Sequence, residues 1–428
     1  MKTIEVPALA RVEGEGGLFI GMKDGKAVEI RLDIYEPPRF FEGFLIDRYL
    51  QEVPDITARI CGICPVAYQM SSVRALEAAL GIEVTPEIYT LRRLMYCGEF
   101  IESHALHIYL LQAPDLLEVP SALDLAAIAP EVVKTALRMK KAGNELLKAI
   151  GGRSVHPVNA CVGGFYRWPD ARLVKATLPE LEWGLEAAKE TVKWAVMLPY
   201  PDLKINYEFV AIHHPIEYGV MNGDVWSSKG SKLEVTDYET RYIEEHVQHS
   251  NALHSHTKEG GNYLVGPLAR LNLNHEQLLP AAQKALKDSK IKLPITNPYK
   301  SLIARAFELV NFYEEAIQLV KAYAPNGPAH LKLALKAGEG CGMSEAPRGL
   351  LYHRYKIDEK GRVKFAKITP PTAQNLPRIE EDLLALVPQL VKMDQEQATL
   401  TAEHLVRSYD PCISCATHFL KLKMEEVE

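Results

Sequence analysis

The chain has 428 residues, 47% of them apolar and 24% charged, with a formal net charge of −6. That composition is ordinary for a folded globular protein and excludes a disordered or fibrous chain, and the negative balance argues against nucleic acid as a main partner. No apolar run reaches the length of a bilayer span, and seven cysteines are too few and odd in number for a disulfide framework, so a reducing, cytoplasmic setting is expected. The amino-terminal stretch from Met1 to Pro7 carries neither an apolar signal core nor twin arginines, in keeping with that setting.

In chain order, the first predicted element is a β-hairpin. Gly17 to Gly21 and Ala27 to Leu32 flank Lys23-Asp24-Gly25-Lys26, and Asp-Gly is a strong two-residue turn. Glu13 precedes the hairpin; by itself it reads as a solvated turn carboxylate. Glu42 lies among Phe40, Phe41 and Phe44, where a carboxylate is partly buried and needs a cation or a donor. Cys61 and Cys64 fall in a loop, after which Pro65 opens a helix over 65–80 closed by Gly81. A second helix is predicted over 87–111 and ends at Pro114. His104 and His107 share a face of it, as metal ligands or as a buried polar seam; without other information the seam is preferred.

Further helices are predicted over 130–150, 178–196, 275–286 and 301–323. Each is apolar on one face, so they pack as a bundle. The pattern loosens over 207–237, with a strand-like Phe209-Val210-Ala211-Ile212 and an Asn222-Gly223 turn. A second hairpin pairs Gly349 to Tyr355 with Val363 to Ile368 and brings Arg348 near Thr369-Pro370-Pro371-Thr372, a rigid proline turn. Arg348 alone reads equally well as a surface charge. A last helix over 395–408 delivers Asp410-Pro411-Cys412. No linker divides the chain, so residues 1–428 are expected to form one domain. The fold class is mainly α with minor β (α+β): a long-helix bundle core with peripheral β-hairpins.

Chemistry centres on two Cys-x-x-Cys pairs, Cys61/Cys64 and Cys412/Cys415, at opposite ends of the chain. This spacing lets two thiolates grip one ion. Zinc ribbons keep their pairs within about 15–20 residues, whereas almost the whole chain separates these. A redox or catalytic metal, structural zinc and unrelated thiols all remain open on spacing alone. Four thiolates suit a soft or borderline ion such as nickel, iron or zinc.

The flanking residues resemble the large (alpha) subunit of nickel–iron hydrogenases. Arg59-Ile60-Cys61-Gly62-Ile63-Cys64 and Asp410-Pro411-Cys412-Ile413-Ser414-Cys415-Ala416-Thr417-His418 are similar to that family's paired signatures. So are Arg11-Val12-Glu13-Gly14, the stretch from Arg39 to Phe44, Ser103-His104-Ala105-Leu106-His107, Val162-Gly163-Gly164, the stretch from Val265 to Arg270, and Glu345-Ala346-Pro347-Arg348-Gly349. The Cys-Gly-Ile-Cys-Pro-Val-Ala form resembles the cytoplasmic sulfhydrogenase or NAD(P)-linked branch.

The resemblance implies a hydrogenase that cleaves dihydrogen reversibly and heterolytically to protons and electrons. Cys61, Cys64, Cys412 and Cys415 match the nickel ligands, and Cys64 and Cys415 also bridge to an iron carrying CN and CO. Arg348 matches the residue that hydrogen-bonds a cyanide over the open side of the metals. Pro371 and Thr372 match the cradle of the diatomic ligands, although Pro370-Pro371 departs from the usual form. Glu42, the Leu351 carbonyl and His418 match ligands of a buried Mg2+, and Glu13 matches the glutamate that passes protons from a nickel thiolate. Tyr68 departs from the histidine many relatives carry there.

Too few cysteines remain for iron–sulfur clusters in this chain. Electrons therefore go to an iron–sulfur small subunit and onward through flavin and NAD(P) subunits, to NAD(P) or polysulfide. No Gly-x-Gly-x-x-Gly turn follows a strand, so the nucleotide sits in a partner. A maturation protease and a nickel chaperone are implied as well, with residues 419–428 as a cleavable extension. Mass spectrometry of metal-loaded protein should then find a chain ending at His418. The competing readings are a non-catalytic scaffold subunit, as in respiratory complexes, and a zinc-stapled interaction protein.

Overall fold

The computed structural model describes residues 2–23 and 26–417. The chain begins with an antiparallel sheet of β1 (Lys2–Val6), β2 (Gly16–Lys23) and β3 (Lys26–Ile34). The predicted hairpin is β2–β3; its Asp24-Gly25 turn lies outside the described residues. β1 was not foreseen, because nothing local marks a short strand whose partner follows a long loop. That loop, closed by the Leu9 N–H on the Gly16 carbonyl at 2.9 Å, carries Arg11 and Glu13.

Helix α1 (Phe41–Leu45) holds Glu42, and α2 (Pro65–Leu80) starts directly after Cys64. Pro65 supplies a preset φ where no N–H is needed, and Gly81 closes α2 in the left-handed region at φ 68°. Buried along nearly its whole length, α2 runs through the middle of the molecule. α3 (Pro86–Leu106) does not stop at Pro114. Its axis continues through a π-helical turn, His107–Gln112, into a short helical piece, Ala113–Leu116, with Pro114 in its first turn. A proline lacks the N–H and crowds the carbonyl four residues back; the wider turn relieves both problems, so the chain carries Asp115 onward.

α4 (Pro130–Gly151) packs along α3, while α5 (Leu178–Met197) packs along a later helix. The loose segment forms a small sheet of β4 (Val210–His213), β5 (Asp224–Ser227) and β6 (Lys232–Leu233). A separate hairpin, β7 (Tyr242–His246) and β8 (Leu253–Thr257), follows. The Val265 to Arg270 motif opens an unforeseen helix, α6 (Pro267–Asn274). The helix expected over 275–286 is instead a single tight turn, His275–Gln277, followed by α7 (Pro280–Ser289), because Pro280 fits a first turn but not a helix interior. α8 (Ser301–Ala322) is the helix on which α5 lies, and it also contacts α3.

A further three-stranded sheet is built from β9 (Gly338–Ala346), β10 (Gly349–Ile357) and β11 (Val363–Thr369). Gly338, Gly340 and Gly342 line one face of β9 and lie directly on α2. A Cβ on them would strike the carbonyls of Ala79, Ala75 and Ser71. The glycine stripe lets helix backbone touch strand backbone, and it sets the start of α2, with Cys64, beside the β9–β10 turn with Arg348.

Pro371 is the first residue of α9 (Pro371–Leu390) rather than part of a turn. Internal Pro377 and Pro388 concealed this helix from pattern reading. α10 (Gln395–Ser408) matches expectation, and a final turn, α11 (Ile413–Ala416), carries Cys415. The core cluster extends from Ile4 to Ala416; helices supply most of it, and the inner faces of the first sheet and of β10–β11 pack into it. His418 and residues 419–428 lie outside the described residues.

Candidate metal centre

Sulfur atoms from both ends of the chain meet inside the molecule. Cys61 Sγ lies 3.6 Å from Cys412 Sγ, and Cys61, Cys412 and Cys415 fall within 4.8 Å of one another. Cys64 hydrogen-bonds into the same group. All four are buried and none is in a disulfide. The loop before α2 also turns two backbone donors onto Cys61 Sγ, from Ile63 at 3.4 Å and Cys64 at 3.3 Å. Hydrogen bonds from Cys412, Cys415 and Cys64 pull the Cys61 thiol well below its ordinary pKa, whereas burial pushes Cys412 well up. A bound cation is what would let these crowded, buried thiols ionise together.

Glu13 is not the solvated turn carboxylate that its local sequence allows. It pairs with Cys412 as a short parallel bridge, its carbonyl accepting from Ile413 N–H at 2.8 Å. The same pairing aims its carboxylate at the sulfurs. Oε2 accepts from Cys412 Sγ at 3.0 Å and from Ser414 N–H at 3.1 Å. Arg348 is buried, not a surface charge. It donates through Nε to the Asp410 carbonyl at 2.8 Å and through Nη2 to Asp410 Oδ1 at 3.0 Å. Its Nη1 is buried with no hydrogen-bond partner among the described residues, and the charges of Cys412, Cys61 and Cys64 act on this guanidinium. A donor left open beside four thiols fits a site that takes a metal with anionic ligands.

Thr372, in the first turn of α9, accepts from Cys412 N–H through Oγ1 at 2.9 Å, and Pro371 beside it is buried. Glu42 Oε1 accepts from Ile368 N–H at 2.8 Å. Ile368 pairs with His353, two residues beyond Leu351 on β10, so Glu42 stands against β11, the strand beside the one that carries the expected Leu351 carbonyl. His418, the third expected Mg2+ ligand, lies outside the described residues. His104 and His107 form the buried seam: His104 Nε2 lies 2.7 Å from Glu308, and His107 Nε2 lies 2.9 Å from the Arg407 carbonyl.

Several residues that the sequence marks only as members of motifs position the site. Arg39 Nη2 reaches the Ile60 carbonyl at 2.7 Å and also the Ser414 carbonyl, so one guanidinium ties the two cysteine loops together. Asp410 sits in the left-handed region at φ 56°, a strained backbone for a non-glycine residue that Arg348 holds in place. Tyr68 is wholly buried beside Cys415; burial pushes its pKa well up, so it stays a neutral donor. Only type and position singled these residues out in the chain, and neither reveals a partner hundreds of residues away.

Asp115 is the anchor for both arms of the site. It accepts from Arg407 Nε at 2.7 Å and Nη2 at 3.1 Å, from His404, and from Arg11, two residues before Glu13. Burial alone would raise its pKa, but hydrogen bonds from His404 and Arg407 hold it at about 2. A carboxyl depressed in the fold contributes stability that is present above its unfolded value of 3.8 and is lost as pH falls toward 2. Asp115→Asn should therefore destabilise the chain by about 3–5 kcal/mol at neutral pH, as expected when a buried ion pair loses one partner. Urea midpoints of the variant should also fall less steeply below pH 3.8 than those of the parent; parallel curves would contradict this assignment.

A family model for nickel-dependent hydrogenase matches residues 39–150 and 228–418. Sulfhydrogenase 1 subunit alpha of Pyrococcus furiosus is 35% identical over 423 residues, covering 98% of each chain. Sulfhydrogenase 2 subunit alpha of the same organism is 36% identical, covering 98% of this chain and all of the relative. Among solved structures, an NAD+-reducing [NiFe]-hydrogenase in the H2-reduced state superposes with a TM-score of 0.87 at 25% identity, covering 98% of this chain and 100% of that one.

Proposed function

This chain belongs to the nickel-dependent hydrogenase family, and from that premise we propose how its residues serve dihydrogen chemistry. It is the large subunit of a nickel–iron hydrogenase. The observation that carries the reading is the meeting of Cys61, Cys64, Cys412 and Cys415 in one buried pocket with a carboxylate hydrogen-bonded to a sulfur. A scaffold relative would lack the thiols, and a zinc staple would not need the open guanidinium of Arg348.

Cys61, Cys64, Cys412 and Cys415 would hold the metals, nickel and iron being the ions that the family implies. The bound nickel–iron centre, its iron carrying CN and CO, supplies the Lewis-acid and redox chemistry for reversible heterolytic cleavage of dihydrogen. Glu13 takes the proton from the Cys412 sulfur, 3.0 Å away. Arg348 offers Nη1 to an anionic ligand, and Pro371 and Thr372 close the wall behind it. Glu42, the Leu351 carbonyl and His418 would hold Mg2+, oxygen and imidazole donors that suit that hard ion.

The pocket lies just under the surface: Gly62, between the two cysteines of its pair, is exposed and Ile63 is half-buried. Electrons leave there to an iron–sulfur small subunit, since Cys97 and Cys161 are buried singly in other elements. Flavin and NAD(P) subunits take them onward to NAD(P) or polysulfide, a reading supported by the names of the sulfhydrogenase and NAD-reducing relatives. The setting is the cytoplasm; among the described residues no helix is long and apolar enough to cross a membrane. Nickel enters with a chaperone's help, and a maturation protease removes residues 419–428.

The test is elemental and spectroscopic. The purified complex should contain nickel and iron in about equal amounts, show infrared bands of metal-bound cyanide and carbon monoxide, and reduce a viologen dye under hydrogen. Zinc in place of nickel, with no such bands, would overturn the assignment.

A further inference from the structure

Away from the thiol pocket, four of the chain's 14 histidines sit on one hairpin: His246, His249, His254 and His256, on or between β7 and β8. Two of them face Glu380 on α9. His249 Nε2 lies 2.8 Å from Glu380 Oε1, and His254 Nδ1 lies 4.0 Å from Glu380 Oε2. The two rings meet edge to face with centroids 5.5 Å apart. One donor atom from each of the three residues lies within 4.8 Å of the other two.

His254 is the informative member. It is only 3% exposed, its Nε2 has no partner among the described residues, and 4.0 Å is beyond hydrogen-bond reach for its Nδ1. A buried polar group left unpaired costs about 1–3 kcal/mol, and such groups in native proteins usually have a partner that is water, ion or ligand. Burial holds this ring neutral, at a pKa of about 4, which is the form that ligates metals.

We propose that His249, His254 and Glu380 bind a divalent first-row transition ion that prefers nitrogen and oxygen donors, of the Zn2+ type. Two imidazoles and one carboxylate are poor company for magnesium or calcium, and no sulfur is in the group to draw a softer ion. Donors around tetrahedral zinc lie about 3.3 Å apart for bonds near 2.0–2.1 Å, so the three donor atoms, within 4.8 Å of one another, must draw closer together to seat the ion. Glu380 Oε1 also accepts from Leu32 N–H at 2.8 Å. The ion therefore pins three elements together: β3, the β7–β8 hairpin and α9. Thr372 lies two turns back along α9, about 12 Å along the axis, so the clamp steadies the helix whose first turn holds Cys412.

The experiment uses the complete, nickel- and iron-loaded protein, stripped with EDTA and titrated with zinc chloride, followed by zinc K-edge X-ray absorption. One zinc per chain should bind beyond the nickel and iron, with only nitrogen and oxygen in its nearest shell. His254→Ala and Glu380→Gln should each weaken zinc binding at least about 100-fold, since ligand loss exceeds the 10–100-fold cost of losing an outer partner, with nickel and iron content unchanged. Should His254→Ala fail to fold, the parent's absorption shell and the less buried His249→Ala variant decide. No bound zinc, sulfur in the shell, or variants of undiminished affinity would overturn the proposal and leave an ion pair beside a buried ring.

Discussion

Cys412→Ser should yield a folded chain without nickel and with hydrogen-dependent dye reduction at least about 10⁴-fold below the parent, the scale expected when a catalytic metal is lost. Cys412 has more roles in the pocket than any other sulfur. It contacts Cys61 at 3.6 Å, hydrogen-bonds Glu13 at 3.0 Å, and is fixed through its N–H by Thr372 at 2.9 Å. A serine hydroxyl keeps the hydrogen bond to Glu13 but is a harder donor that does not ionise here, so it offers nickel no thiolate. The buried hydroxyl retains a partner, and the fold should melt within a few degrees of the parent. Metal analysis, circular dichroism and a viologen assay on the same preparation check this. A variant that keeps stoichiometric nickel and a tenth of the activity would remove Cys412 from the ligand set.

Glu13→Gln should separate metal binding from proton handling. The amide is nearly isosteric and its oxygen still accepts from Ser414 N–H, so the loop between β1 and β2 keeps its place. What it loses is the capacity to take a proton from the Cys412 sulfur. Removing a positioned acid–base group typically costs about 10²–10⁴-fold, and hydrogen oxidation should fall by that amount with nickel, iron and the infrared bands retained. Exchange of deuterium gas with water protons should slow in parallel, since it requires the same proton exit. Rates within about threefold of the parent would place the proton route elsewhere; Glu36, which accepts from Ser414 Oγ at 2.8 Å, is the next carboxylate outward.

Most regular elements were legible from local chemistry. Gly81 closes its helix in the left-handed region and Pro65 opens it, as expected, and Gly152 and Pro130 play the same parts for α4. Several of the differences from expectation involve proline. Pro114 is a stop by its local sequence, yet a π turn absorbs it; Pro280 divides a helix; and Pro377 and Pro388 conceal α9. A proline's cost depends on whether the surroundings let the backbone widen or start afresh, and a sequence window contains no surroundings.

Spacing marked the two cysteine pairs as half-sites, and their flanking residues named the family. That much follows from residue type and position along the chain, because a metal's demand for donors is local at each half. Bringing the halves together is another matter. It rests on the glycine stripe of β9 that admits α2, on Arg39 bridging the Ile60 and Ser414 carbonyls, and on Asp115 holding Arg11 and Arg407. The pairing of His249 and His254 with Glu380 is of the same kind. Such contacts join residues distant in the chain, and each partner is selected by packed distance and by the loss of water. Neither quantity exists until the core has closed.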